Sequence, residues 1–227
     1  MSRPPRVLIV AGSDSGGGAG IQADIKTLSA MRAYAMTAVT AITVQNTLGV
    51  TDVHPIPPVV AAQMRACLDD IGADAIKLGM LHSAALIEAV AGVLADYPDI
   101  PVVADPVMVA KGGAALLQSE AVTALSDMIL PKAFVITPNT EEAEVLLGSE
   151  IGDEAAMAAA ADRLASQYKT AVLLKGGHLS GAGVLNLLLE TGKPPARFVS
   201  PRLDTPHTHG TGCTLASAIA AGIASGL

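Results

Sequence analysis

The chain has 227 residues, of which 51% are hydrophobic but only 2% aromatic, and its formal net charge is −7. This length fits one domain with a full aliphatic core, and the negative charge argues against nucleic acid or an anionic membrane surface as a partner. With only two cysteines, no secretory leader and no apolar run near the roughly 18 residues of a membrane span, we expect a cytoplasmic protein.

Short apolar runs without alternation recur along the chain, a pattern typical of strands buried on both faces of a parallel sheet. They cover residues 7–11, 38–44, 75–78, 102–104, 134–136 and 171–174. Apolar side chains at helical spacing lie between them, and Cys67 falls on one such stripe as a small buried hydrophobe. Residues 186–206 are predicted to form a hairpin or short strands. The pattern predicts one domain over residues 1–227, a three-layer α/β/α sandwich with a mostly parallel central sheet.

Glycine-rich and polar clusters follow these strands, at the sheet edge where open α/β folds bind ligands. The first cluster, residues 12–20, has four closely spaced glycines but matches neither the G-x-G-x-x-G nor the Walker A pattern. It could touch a ligand through its backbone, or it could be a tight connection in which Asp14 or Ser15 caps the next helix. Four glycines exceed what a cap needs and favour the ligand.

Polar side chains at later strand ends have two interpretations each. Gln45 could read the edge of a heterocycle or tie down a neighbouring loop. Asp105 and Glu142 could hold Mg²⁺ together with phosphate oxygens and water, although Asn139 and Glu142 also fit a capping box. Lys175 follows a buried run and needs an anion, either a triphosphate or a structural carboxylate, and we favour the phosphate.

The stretch of residues 204–214 leads through Gly210 and Gly212 into an apolar helix. A helix N-terminus with free N–H groups is an anion site. Cys213 lies on the first turn of that helix, where a thiol is predicted to have a lowered pKa and could act as a general base in phosphoryl transfer. The alternative interpretation is that Cys213 is a small apolar helix residue without a chemical role. Zinc at His207, His209 and Cys213 would leave the glycines unexplained, and both histidines are interpreted as loop and capping residues.

Together these motifs resemble the hydroxymethylpyrimidine/phosphomethylpyrimidine kinases of thiamine biosynthesis, in the ribokinase-like superfamily. The resemblance runs from about Val7 to Gly226. It rests on ordered motifs at residues 11–24, 45–47, 77–80, 105–111, 137–139, 175–178 and 208–214. Cysteine at position 213, where most ribokinase-like enzymes carry aspartate, points to this vitamin-kinase branch.

The resemblance implies a homodimeric kinase that uses ATP and Mg²⁺ to phosphorylate 4-amino-5-hydroxymethyl-2-methylpyrimidine and then its monophosphate, giving the diphosphate. By motif, Cys213 is the base, and Gly210 and Gly212 form the anion hole. The expected pyrimidine pocket consists of Gln45, Gly12, Ala19, Asp24, Val44, Met80 and Val107. The expected Mg-ATP contacts are Lys175, Asn139, Thr208 and Thr211 for the nucleotide, and Asp105 and Glu142 for Mg²⁺, partly through water.

Three features depart from the family pattern. Pro206-His207 stands where relatives often have Arg-Asn, and Asn186 where many have aspartate. Family members continue beyond the position of Leu227 with a helical segment that helps to cover the adenine side, and the predicted domain lacks it. Two other functions stay open: a pyridoxal kinase, because some relatives with this cysteine act on pyridoxal, and a non-catalytic metabolite-binding protein on the same fold.

Overall fold

The computed structural model describes residues 3–108, 116–179 and 183–227. Residues 109–111, the end of one motif that carries the resemblance, lie outside the described residues. The strands are β1 (Arg6–Asp14), β2 (Tyr34–Gln45), β3 (Val50–Pro55), β4 (Ala75–Leu78), β5 (Val102–Ala104), β6 (Val135–Ile136), β7 (Ala171–Lys175), β8 (Gly183–Leu189) and β9 (Ala196–Pro201). The α-helices are α1 (Gly20–Ala30), α2 (Pro57–Asp70), α3 (Ala84–Asp96), α4 (Ser119–Met128), α5 (Thr140–Leu147), α6 (Glu154–Tyr168) and α7 (Thr211–Ala224).

The strands form one nine-stranded sheet in the order β3-β2-β1-β4-β5-β6-β7-β8-β9. The six strands from β2 to β7 in this order are parallel. Antiparallel strands extend both edges: β3 pairs with β2, while β8 and β9 form the predicted hairpin beside β7. Since the carboxyl ends of the parallel strands meet at one edge, the polar residues that follow them are brought together there.

Helices cover both faces of the sheet, and the side chains of β1 alternate between the two cores that these faces form. Leu8 and Val10 belong to the larger core, which includes apolar side chains from α2, α3, α4 and α6. Val7 and Ile9 point the other way and belong to a second core with Leu28 of α1 and residues of α7. The predicted three-layer α/β/α sandwich with a mostly parallel central sheet is confirmed.

The prediction of a strand buried on both faces holds for residues 7–11 but is wrong for the end of β2. Ala41 and Thr43 are buried, whereas Ile42 and Val44 are 51% and 58% exposed. The reason is the position of this end, which pairs with the edge strand β3 and leaves one face without a covering helix.

Two helix beginnings were predicted from the sequence and both are present. Asn139 caps α5 and forms a complete capping box with Glu142. Gly210 caps α7 with φ of 80°, so Cys213 is the third residue of that helix. Cys67 in α2 is half-buried and packs against the larger core, as predicted. Within the described ranges, none of the helices combines the length and the apolar character needed to cross a membrane.

Candidate active site

The carboxyl ends of the parallel strands and the loops after them enclose a cavity of about 800 Å³, a size typical of small-molecule sites. It brings together all but two of the residues predicted from the sequence. These are Gly12, Ala19, Gln45, Met80, Asp105, Val107, Asn139, Glu142, Lys175, Thr208, Gly210, Thr211, Gly212 and Cys213.

Asp24 and Val44, both predicted to line the pyrimidine pocket, do not belong to the cavity lining. Asp24 is fully buried on α1, where it binds Lys77 and Ser217 rather than facing the cavity. Val44 alternates with the buried Thr43 along β2 and therefore points to the exposed side of the strand. The structure places these two residues behind or beside the pocket instead of in its wall.

Asp14 organises the first glycine loop. Its carboxylate accepts hydrogen bonds from the backbone N–H groups of Gly16, Gly18 and Ala19, at 2.8 to 3.0 Å. These N–H groups are therefore bound within the loop, which favours the tight connection over the predicted backbone contact with a ligand. Asp14 does not cap α1, however, since that helix is capped by Ala19 without a side-chain bond.

The loop that precedes α7, residues 204–210, packs directly against the first glycine loop, residues 12–20. His209 Nε2 lies 2.8 Å from Asp14 Oδ2. A Cβ atom on Gly210 would overlap the carbonyl oxygen of Gly18, so only glycine fits here, and its positive φ requires glycine as well. The predicted use of His209 in loop structure is thus present, with Asp14 as its partner.

Gln45 meets both of its predicted interpretations in part. Its backbone is tied to the first loop by the Ser15 hydroxyl, which accepts from Gln45 N–H at 2.9 Å and donates to Gln45 C=O at 2.7 Å. Its side chain lines the cavity and accepts a bond from the Thr43 hydroxyl at Oε1, at 2.9 Å. The same hydroxyl lies 2.9 Å from Ser13 C=O, so its single proton serves two acceptors while it holds the Gln45 carboxamide at the cavity wall.

Lys175 and Asp105 form the charged centre of the other half of the cavity. Lys175 Nζ lies 2.9 Å from Asp105 Oδ1, which also accepts from the Thr137 hydroxyl. Burial would raise the pKa of Asp105, but the charges of Lys175 and Lys77 outweigh it and lower that pKa. Lys175 therefore has a structural carboxylate as one partner, whereas its predicted contact with phosphate stays a prediction.

Glu142 lies near the same pair. Burial raises the pKa of Glu142 to about 7, and the neighbouring charge of Asp105 adds to the rise while Lys175 opposes it. Its Oε2 accepts the Asn139 N–H of the capping box at 2.8 Å. A cation would relieve the repulsion between the two carboxylates.

These two carboxylates fit Mg²⁺ by their donor chemistry. Magnesium commonly uses one or two protein carboxylates and takes its remaining oxygens from phosphate and water. Asp105 binds Lys175 and Thr137 through Oδ1, while Oδ2 faces Gly212, lying 3.6 Å from the position of a Cβ there. Among the described residues no group of three His, Cys, Asp or Glu side chains could hold a metal ion.

Cys213 differs from its prediction in one respect. Burial raises the pKa of its thiol; the charge of Lys77 lowers it, whereas the carboxylates of Asp24 and Asp105 raise it further. The predicted lowering is therefore wrong for this structure, because the charge of Lys77 and the hydrogen bond from the Gly20 N–H do not compensate for burial and two nearby carboxylates.

Lys77 and Asp24 form a buried ion pair that the sequence analysis did not identify. Lys77 Nζ lies 2.9 Å from Asp24 Oδ2, both side chains are fully buried, and the Ser217 hydroxyl donates to Asp24 Oδ1 at 2.7 Å. Burial would lower the pKa of Lys77, but the negative charges of Asp24, Cys213 and Asp105 outweigh it and raise that pKa. A signal was present in the sequence, since a lysine within a run of buried strand residues requires an anionic partner.

The residues around the cavity are equipped for transfer of an anionic group to a hydroxyl. The N-terminus of α7 offers backbone N–H groups, Lys77 and Lys175 supply positive charge, and Cys213 can accept a proton once ionised. The opposite wall combines Gln45 with the apolar side chain of Met80, which suits a flat heterocycle.

Comparison with known proteins gives matches over almost the whole chain. The family model described as phosphomethylpyrimidine kinase matches residues 14–227. The hydroxymethylpyrimidine/phosphomethylpyrimidine kinase of Haemophilus influenzae is 50% identical over 231 residues, covering 100% of this chain and 86% of the relative. The thiamine biosynthesis bifunctional protein ThiED of Geobacter sulfurreducens is 51% identical, and the match covers 97% of this chain and 45% of that longer protein.

Among solved structures, the pyridoxal kinase of Bacillus subtilis in its ADP complex is similar to this chain with a TM-score of 0.90. It is 38% identical, and the match covers 99% of this chain and 86% of that one.

Proposed function

This chain belongs to the phosphomethylpyrimidine kinase family, and from that premise we propose how its cavity works as an active site. The chain is a kinase that transfers phosphate from ATP to the hydroxymethyl group of 4-amino-5-hydroxymethyl-2-methylpyrimidine, and then to the monophosphate so formed. The proposal is carried by one observation: the N-terminus of α7, the Lys175–Asp105 pair and the wall around Gln45 border the same cavity.

The acceptor pyrimidine occupies the side of the cavity bordered by Gln45, Met80 and Val107. The carboxamide of Gln45, held at the cavity wall by Thr43, pairs with the polar edge of the ring. Glycine at position 12 allows Met80 to pack against the backbone, since a Cβ at this position would lie 2.6 Å from Met80 Cε. Ala19 completes the pocket at the start of α1.

Cys213 is the general base of the first phosphorylation. As the hydroxymethyl oxygen attacks the γ-phosphorus, its proton passes to the Cys213 sulfur, and ADP leaves with the electron pair of the broken P–O bond. The N–H groups of Gly210 and Gly212 stabilise charge on the transferred group, because both residues line the cavity at the N-terminus of α7.

The polyphosphate lies on the side of the cavity bordered by Lys175, Asn139, Thr208 and Thr211. Asp105 and Glu142 would hold Mg²⁺, partly through water. When bound, that ion supplies charge neutralisation at the phosphate oxygens. Lys175 exchanges part of its contact with Asp105 for the phosphate, since its ammonium group can donate three hydrogen bonds.

The test is ADP release by the purified chain with three acceptors: the pyrimidine alcohol, its monophosphate and pyridoxal. We expect both pyrimidines to be turned over with a higher kcat/KM than pyridoxal. Faster turnover of pyridoxal would favour the second candidate, a pyridoxal kinase, which the likeness to the B. subtilis pyridoxal kinase supports. No ADP release with any acceptor, together with ligand binding, would identify a non-catalytic metabolite-binding protein.

A cytoplasmic location and a homodimer complete the proposal. Support for the dimer comes from the family and from the apolar side chains Ile42, Val44 and Leu48, which are 51%, 58% and 84% exposed along and after β2. A second copy would cover them. Light scattering of the purified chain should give twice the monomer mass, and Val44→Lys should shift it towards the monomer.

A further inference from the structure

His209 and Asp14 connect two loops that are far apart in sequence. The distance from His209 Nε2 to Asp14 Oδ2 is 2.8 Å, and the two side chains are 10% and 1% exposed. Because a carboxylate can only accept, Nε2 must carry the proton of this bond. Hydrogen bonding by His209 and by the loop N–H groups lowers the pKa of Asp14, although burial alone would raise it. Asp14 is therefore the ionised acceptor of a charge-assisted bond.

The same two loops also fit together sterically. A Cβ atom on Gly18 would lie 2.6 Å from His209 Cδ2, so the imidazole ring packs directly on the backbone of the first loop. One residue later, Gly210 packs on the carbonyl of Gly18 and begins α7. The ring of His209 is thus one peptide unit away from the N–H groups that face the cavity.

We propose that His209 is a positioning residue for phosphoryl transfer: its bond to Asp14 holds Gly210 and Cys213 in place relative to the acceptor pocket beside Ala19. The inference rests on the proposed kinase function. The first loop carries Ala19, a wall of the acceptor site, and the second carries the anion site and the base. The Asp14–His209 bond spans the two, so it fixes the distance between the attacking oxygen and the groups that act on it.

A residue that orients catalytic groups affects the rate of transfer more than it affects substrate binding. Displacing reacting groups by about 1 Å can cost on the order of 100-fold in rate. For His209→Ala we expect a kcat reduced roughly 10- to 100-fold. The KM values for the pyrimidine alcohol and for ATP should stay within about threefold of the wild type, because neither ligand-binding wall is removed.

Three further variants make the test specific for the hydrogen bond. His209→Gln places an amide N–H near the position of Nε2 and should recover most of the lost kcat. Gly18→Ala introduces a methyl group against the ring and should lower kcat in the wild type. It should cause little further loss in the His209→Ala background, where the ring is absent. His207→Ala, at an exposed position two residues upstream, is the matched control and should match the wild type.

The outcomes separate this inference from the proposed function. If the wild type phosphorylates the pyrimidine alcohol but His209→Ala has the kcat of His207→Ala, the positioning role is wrong. It is also wrong if His209→Gln is as slow as His209→Ala, or if Gly18→Ala and His209→Ala are fully additive. A wild type without kinase activity overturns the proposed function itself. If His209→Ala does not fold, which thermal unfolding will show, Gly18→Ala carries the test alone: a folded Gly18→Ala with the kcat of His207→Ala would overturn the positioning role.

Discussion

The pKa of the Cys213 thiol is determined by opposing effects of its surroundings. The N-terminus of α7 and Lys77 favour its ionisation, whereas burial and the carboxylates of Asp24 and Asp105 disfavour it, and the net effect raises its pKa. A general base must be deprotonated before it can act. At neutral pH only a small fraction of the enzyme should therefore carry the active thiolate.

The first prediction follows for the pH dependence of the hydroxyl phosphorylation. Since the pKa of Cys213 is raised, the thiolate fraction grows with pH through the whole range below that pKa. We expect kcat/KM for the pyrimidine alcohol to rise roughly tenfold per pH unit between about pH 7 and 9. Cys213→Asp should flatten the profile, because a carboxylate with an ordinary pKa of about 3.9 is already ionised throughout. A flat wild-type profile would contradict thiolate base catalysis.

The second prediction distinguishes the two phosphorylation steps. A phosphate monoester loses its second proton near pH ~6, so the acceptor oxygen of the monophosphate needs no base at neutral pH. Cys213→Ala should slow phosphorylation of the alcohol by roughly 100-fold or more, and that of the monophosphate by less than about tenfold. The measurement is single-turnover transfer from ATP to each acceptor, with calorimetry to confirm that binding is retained.

Cys67→Ala is the control for this pair of measurements. Cys67 is the other cysteine of the chain and packs against the core on α2, so both steps should keep their wild-type rates. Equal losses in the two steps of Cys213→Ala would mean that the sulfur does not act as the base.

At the scale of elements, α7 depends on glycine at one position and not at another. Gly210 has φ of 80°, and a Cβ would overlap the carbonyl of Gly18, so Gly210→Ala should separate the two loops and abolish activity. Gly222, in the same helix, has no atom within 4 Å of an added Cβ. Gly222→Ala should keep full activity and raise stability by about 0.5 to 1 kcal/mol. Activity assays and urea unfolding of both variants provide the test, and an active Gly210→Ala would contradict it.

Some elements could be predicted from the sequence because they bury nearly everything they contain. The runs at residues 75–78 and 102–104 coincide with β4 and β5. The edge strands are different: every residue of β9 is exposed, so no periodic apolar signal marks it. The capping box of α5 was predictable because its two partners are three residues apart and act locally.

The site was predicted less completely than the fold, and for a physical reason. Motifs place residues at strand ends, and most of those residues do line the cavity. The bonds between distant side chains carry no local pattern: Asp14 and His209 are 195 positions apart, and Asp24 and Ser217 are 193 apart. The lack of a local sequence pattern for such long-range contacts also explains why the pKa of Cys213 was predicted in the wrong direction. The charges that act on its thiol belong to other elements.

At the scale of the whole molecule, the buried pair of Lys77 and Asp24 links three elements: α1, β4 and, through Ser217, α7. Without Lys77, Asp24 would be a buried carboxyl with no cationic partner, and burial already raises its pKa while Lys77 is present. Lys77→Met should therefore lower the free energy of unfolding by roughly 3 to 5 kcal/mol. Adding Asp24→Leu should recover much of that loss, although activity should not return because Lys77 borders the cavity.

Arg65→Met is the matched control for this experiment. Arg65 and Asp96 form an ion pair whose side chains are 45% and 54% exposed, so its loss should change the free energy of unfolding far less than the loss of Lys77. Chemical denaturation of the wild type and the three variants gives the comparison. A double variant no more stable than Lys77→Met would argue against an uncompensated charge as the cause.

The second core, which packs β1 and α1 against α7, has a consequence for how the protein is made. During synthesis Val7, Ile9 and Leu28 emerge from the ribosome long before Ala216 and Ala220, their partners in that core. The layer formed by α2, α3, α4 and α6 can close first, while the opposite face of the sheet stays open. The segment that closes this face also carries Cys213. A nascent chain therefore covers this face of the sheet and acquires its proposed base together, and a chain interrupted before residue 211 would expose an apolar surface for chaperones to bind.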